Sequence, residues 1–150
     1  MLDTKFRILI VDDEAEIVKT LCNYFSLEGY LVCTASNAHD ALELVKKGDI
    51  HMVISDIVMP GMDGVDLLIE IKKFNGLIQV VMITGYVKMY NILRAFSSGA
   101  SNCIFKPFES LDSLRSEVEL AVTRLARIKQ VLSERRLRQE DDNTKQNLAS

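Results

Sequence analysis

Short apolar runs rich in β-branched residues alternate along the chain with stretches whose apolar positions return at helical spacing. FRILIVDD (6–13) predicts a strand that closes on acids. Ile17, Leu21, Tyr24 and Phe25 then recur as one helix face, and Gly29 suits the stop. YLVCTAS (30–36) predicts the second strand. Asn37 suits the cap of a second helix bearing Ala41, Leu42 and Val45 and ended by Gly48. IHMVISD (50–56) is the third strand, followed by a helix capped by Asp63 and facing inward with Leu67, Leu68, Ile71 and Phe74. Asn75–Gly76 stops it. IQVVMIT (78–84) is the fourth strand, and Ile92, Leu93 and Phe96 mark the helix that ends at Gly99. SNCIFK (101–106) is the fifth strand, and Ser110 can open the last helix.

Five strand–helix units in succession, with apolar rather than alternating strands, imply a parallel sheet covered by helices on both faces. Right-handed crossovers make this a three-layer, doubly wound α/β domain over residues 4–126. In such open sheets a ligand sits beyond the carboxyl ends of the strands, where strand order reverses.

Those strand ends carry the chemistry. The first ends in Asp12 and Asp13, the third in Asp56, the fourth in Thr84 and the fifth in Lys106. The second ends in Ala35–Ser36, without charge, as an outer strand would in a 2-1-3-4-5 order. Taken singly, the acid pair could be a helix cap, Thr84 a β-former and Lys106 a solvated charge. Taken together, three converging carboxylates repel unless a cation joins them. Oxygen ligands suit Mg²⁺, with Mn²⁺ as an alternative. An aspartate beside such a cation, a lysine and a hydroxyl can act as nucleophile toward phosphorus and form an aspartyl phosphate. Lys106 would neutralise the phosphoryl oxygens and Thr84 would donate a hydrogen bond to one of them.

Composition narrows the picture without changing it. The 150 residues are 48% hydrophobic and 26% charged, as for one globular domain, and a net charge of −3 gives no basis for nucleic-acid binding. Cys22, Cys33 and Cys103 lack metal-ligand spacing and suit reduced thiols in the cytoplasm. No apolar run reaches the ~18 residues of a membrane helix, and the N-terminus lacks a signal-peptide pattern.

ILIVDDE, ISDIVMPGMDG, MITGY and KPF, in this order and spacing, resemble the receiver domain of bacterial two-component response regulators, a chemotaxis-regulator-like fold. The resemblance covers about residues 5–125. It implies a (βα)5, flavodoxin-like sheet in the order 2-1-3-4-5. It implies that Asp56 accepts a phosphoryl group from a histidine kinase or phosphotransfer protein. It further implies direct binding of Mg²⁺ by Asp13, binding mostly through water by Asp12, and a metal-facing main-chain carbonyl at Val58. Thr84 becomes the switch hydroxyl, Lys106 the phosphoryl contact, and Lys106–Pro107 a cis peptide.

One position departs from the pattern. Cys103 stands where relatives commonly carry a Tyr or Phe that turns inward on activation. Phe105 or Tyr86 could take that part. Neither Val58 nor Tyr86 offers an acid or amide to orient an attacking water, so a phosphoryl group on Asp56 is expected not to be unusually short-lived. Two rival readings are an aspartate-nucleophile phosphohydrolase, which would want a second acid where Val58 stands, and an unreactive scaffold.

The last helix runs past the domain. Leu114, Val118, Ala121, Leu125, Ile128 and Leu132 form a coiled-coil-like stripe. Residues 127–138 are expected as a helical extension that either frays in water or pairs with a second copy of the chain. The locally basic residues there alternate with acids, as on a solvated helix face. Residues 139–150 are expected as a disordered polar tail. An output domain is not visible in the pattern, so the helix reads as a linker toward one.

Overall fold

The computed structural model describes residues 6–85 and 88–149. Five strands and five helices alternate: β1 (Arg7–Val11), α1 (Ala15–Leu27), β2 (Leu31–Ala35), α2 (Ala38–Lys47), β3 (Met52–Asp56), α3 (Gly64–Phe74), β4 (Gln79–Thr84), α4 (Met89–Ser97), β5 (Asn102–Phe105) and α5 (Asp112–Ala149). The strands form one parallel sheet in the order β2-β1-β3-β4-β5. The expected doubly wound α/β topology is therefore present.

The reasons are local. β3, at the centre, is buried at all five positions, which is why it reads as a continuous apolar run up to its terminal acid. β2, at the edge, is buried only at Ala35. Asn37 and Asp63 cap α2 and α3, their side chains accepting hydrogen bonds from the Asp40 and Asp66 backbone N–H groups. Gly48 ends α2 with φ 97°, a backbone conformation that costs glycine little.

The chain divides into two compact units, one up to Val118 and one from Glu119 onward. The first holds the sheet. Ile54, Leu68, Ile71 and Met82 are fully buried there, and Leu114 and Val118 of α5 join its core. Phe74, expected to face inward, is instead exposed at the end of α3, and Leu93 and Phe96, which mark α4 in the sequence, are exposed too. Helical spacing identifies an apolar face; it does not say whether anything covers it.

The second unit is helix throughout its described residues, to Ala149. The disordered tail expected at 139–150 is thus helical over the described part. The sequence offers reasons: no Gly follows Gly99 and no Pro follows Pro107. Arg, Glu, Gln, Lys and Leu dominate, all good helix formers. Gln130 Nε2 also donates to Glu134 Oε1 one turn on, at 3.3 Å. Val131, Leu132 and Leu137 are exposed.

Candidate functional site

The register of the sheet gathers the polar strand ends. Val11 pairs with Ser55, so Asp12 and Asp56 leave neighbouring strands side by side. Asp56 pairs with Ile83, and Thr84 pairs with Phe105, which brings Thr84 and Lys106 to the same rim. Asp12, Asp56 and Thr84 are buried, whereas Asp13 is exposed. The structure therefore brings together Asp12, Asp13, Asp56 and Lys106, with Thr84 at the adjoining strand end.

Lys106 is the hub. Its side chain is only 8% exposed, and its Nζ lies 2.7 Å from Asp12 Oδ2, 3.1 Å from Glu14 Oε1 and 3.2 Å from Asp56 Oδ2. Burial alone would lower its pKa; its contacts with Asp12, Glu14 and Asp56 outweigh burial and hold it well above the usual lysine range. Asp56 is shifted upward. Burial raises its pKa, the Asp12 carboxylate beside it raises it further, and Lys106 and the Val58 N–H oppose both. Val58 N–H donates to Asp56 Oδ1 at 3.3 Å. The site is thus a dense negative cluster around the Lys106 ammonium.

The donor set fits a hard divalent metal. Carboxylate oxygens of Asp12, Asp13 and Asp56 all lie within 4.8 Å of one another. Oxygens around an octahedral Mg²⁺ are about 3 to 4 Å apart, so small side-chain rotations would close the set. The approach of Asp12 Oδ2 to Lys106 is an ion-pair contact without hydrogen-bond alignment, which leaves that buried oxygen available to a cation. Asp12 Oδ1 is held by the Glu14 N–H at 2.9 Å.

The loop after Asp56 explains its own sequence. Gly61 has φ 79°, and the chain returns so closely that a Cβ on Gly64 would overlap the Asp56 carbonyl oxygen. Gly64 N–H donates to Ile57 O at 2.8 Å. The first turn of α3 is therefore pinned directly beneath Asp56. Val58, 57% exposed, stands at the open side of the loop.

Other expected positions fall as follows. The Lys106–Pro107 peptide is cis. Cys103 pairs with Met82 and packs half-buried against the core, where burial pushes its thiol pKa up. Phe105 is 56% exposed. Tyr86 lies outside the described residues. Sequence reasoning passed over Glu14, the third consecutive acid after β1, whose side chain reaches across to Lys106.

Comparison with known proteins agrees with this geometry. The model of the response regulator receiver domain family matches residues 8–119. The chain is 35% identical over 113 residues to sporulation initiation phosphotransferase F of Bacillus subtilis, covering 75% of this chain and 90% of that protein. Other curated relatives are longer, and the chain spans 25 to 44% of their length. Among solved structures, response regulator protein TrrA of Thermotoga maritima, in complex with Mg(2+)-BeF, superposes with a TM-score of 0.70 at 33% identity, covering 77% of this chain and 98% of that one. The beryllofluoride-activated NtrC4 receiver domain dimer gives 0.73 at 30% identity, covering 79% and 97%. An acid cluster and lysine at the carboxyl ends of a 2-1-3-4-5 sheet, with one family model matching residues 8–119, show that this chain belongs to the response regulator receiver domain family of two-component signalling.

Proposed function

We propose that Asp56 is the phosphoacceptor and that Mg²⁺, or Mn²⁺ in its place, is the cofactor. Asp13 would bind the metal directly, Asp12 mostly through water, Asp56 through one carboxylate oxygen and Val58 through its main-chain carbonyl. The observation that carries this reading is the convergence of the three carboxylates on one spot with Lys106 Nζ 3.2 Å from Asp56 Oδ2. The bound cation would supply charge neutralisation and orientation for phosphoryl transfer.

The chain's own residues would do the rest. An Asp56 carboxylate oxygen attacks the phosphorus of the donor; an O–P bond forms as the donor's N–P or O–P bond breaks, and the leaving group takes the electron pair. Lys106 would bind a phosphoryl oxygen, and the Thr84 hydroxyl would donate to another. The donor is a sensor histidine kinase or phosphotransfer protein. Val58 and Tyr86 would tune the lifetime of the acyl phosphate, and Val58→Asn and Tyr86→Ala should change its decay rate. With Cys103 in place of a swinging aromatic, Phe105 becomes the candidate reporter of switching on the α4–β5 side.

We further propose residues 4–126 as the phosphoacceptor unit and the helix beyond 127 as a linker to an output segment. Exposed Val131, Leu132 and Leu137 suit pairing with a second copy of the chain. The three free thiols suit a cytoplasmic location.

Incubation with Mg²⁺ and acetyl phosphate tests the function. Stoichiometric labelling is the expected result. Repeated turnover would favour a phosphohydrolase, although Val58 supplies no general acid two residues after Asp56. Absence of labelling would leave only a scaffold.

A further inference from the structure

The three carboxylates around Lys106 are not equivalent. Asp12 and Asp56 belong to the candidate metal set. Glu14 does not; it is the N-cap residue of α1, and its side chain makes no capping hydrogen bond. It is 61% exposed and lies across the rim, with Oε1 3.1 Å from Lys106 Nζ.

An ammonium has three N–H donors. Glu14 Oε1 and Asp56 Oδ2 accept two of them, and Asp12 Oδ2 stands 2.7 Å from the same nitrogen as an ion pair. A phosphoryl group on Asp56 therefore meets an ammonium whose charge and N–H groups are already shared among carboxylates. A metal ion would draw Asp12 and Asp56 toward itself. Glu14 would feel no such pull and would keep its hold on the lysine.

We propose that Glu14 is a positioning residue that holds Lys106 at the rim of the resting site and competes with the phosphoryl group for its ammonium. The inference rests on Asp56 being the phosphoacceptor. Two effects of opposite sign follow. The Glu14 charge offsets the repulsion between Lys106 and an incoming divalent cation, which favours metal binding before phosphorylation. The Glu14–Lys106 contact must loosen when a phosphoryl group arrives, which opposes that step.

Calorimetric titration of the full chain separates them, first with Mg²⁺ alone and then with beryllofluoride at saturating Mg²⁺. Glu14→Gln should bind beryllofluoride about 3- to 10-fold more tightly, the scale of one weakly screened charged contact. The same variant should bind Mg²⁺ alone about 2- to 5-fold more weakly, through loss of one nearby charge. Glu14→Asp keeps the charge but shortens the arm, so its Mg²⁺ affinity should stay near that of the unaltered chain while its beryllofluoride binding tightens. Beryllofluoride affinity that is unchanged or weaker in Glu14→Gln overturns the role of Glu14. Failure of the unaltered chain to bind beryllofluoride at all would overturn the phosphoacceptor reading, and with it this inference.

Discussion

Helices α3 and α4 follow neighbouring strands of the same sheet, yet they are held very differently. α3 buries Gly64, Val65, Leu67, Leu68 and Ile71, is capped by Asp63, and starts beneath the Asp56 carbonyl. α4 buries only Ala95, has no side-chain cap, and exposes Met89, Tyr90, Leu93 and Phe96. Its polar tie to α3 is Arg94, with Nη2 2.5 Å from Asp66 Oδ1 and Nη1 3.5 Å from Asp63 Oδ2. The difference teaches how a rigid reaction centre can drive a movable surface. The helix under Asp56 is locked by packing, whereas the next one buries a single residue and is tied to it through Arg94, a contact that costs little to exchange.

The largest effect should come from attacking the packing. Leu68→Ala removes a fully buried side chain and should cost about 2 to 5 kcal/mol in urea unfolding. Leu93→Ala, at 60% exposure, should stay within about 0.5 kcal/mol. Equal losses would erase the contrast.

Next comes the charge cluster. Without metal, Asp56 is a buried carboxylate beside Asp12, so Asp56→Asn should raise the melting temperature in EDTA. Added Mg²⁺ should then raise the melting temperature of the unaltered chain, by about 2.7 kcal/mol of stability at a hundredfold excess over Kd, and affect the variant much less. A variant that gains as much from Mg²⁺ would remove Asp56 from the metal set.

A smaller effect concerns the tie between the helices. Arg94→Ala should speed amide exchange in α4 about 2- to 5-fold while leaving α3 unchanged. Faster exchange in both would mean that α4 is part of the packed core.

The smallest is a pH effect on that tie. A hydrogen bond from Arg94 lowers the Asp66 pKa. A depressed folded-state pKa means that the stabilisation is present above the unfolded value, about 3.9, and is lost as pH falls through the folded one. The stability difference between the unaltered chain and Asp66→Asn should therefore close at acid pH and hold steady from about pH 5 to 8.

Much of this was legible in the sequence, for physical reasons. Strands buried on both faces advertise themselves as Val/Ile runs, and a charge at the end of such a run must serve a rim. Asn37 and Asp63 revealed helix starts because few side chains cap well. The exposure of Phe74, Leu93 and Phe96 was hidden, since apolar periodicity is the same for a core face and for a surface. The reach of Glu14 was hidden too: it meets Lys106 across 92 residues of sequence, through a register that only the folded sheet defines. The helix to Ala149 was missed because a polar composition reads as disorder even where each residue favours a helix.

The most direct test of the central claim is to locate the phosphoryl group after treatment with acetyl phosphate, by tandem mass spectrometry of peptides that together span residues 38 to 64. The account predicts a single phosphoryl group on Asp56 that does not form when EDTA is present during the treatment and is absent in Asp56→Asn. A label on His39 or His51, or one that forms equally well without a divalent metal, would contradict it.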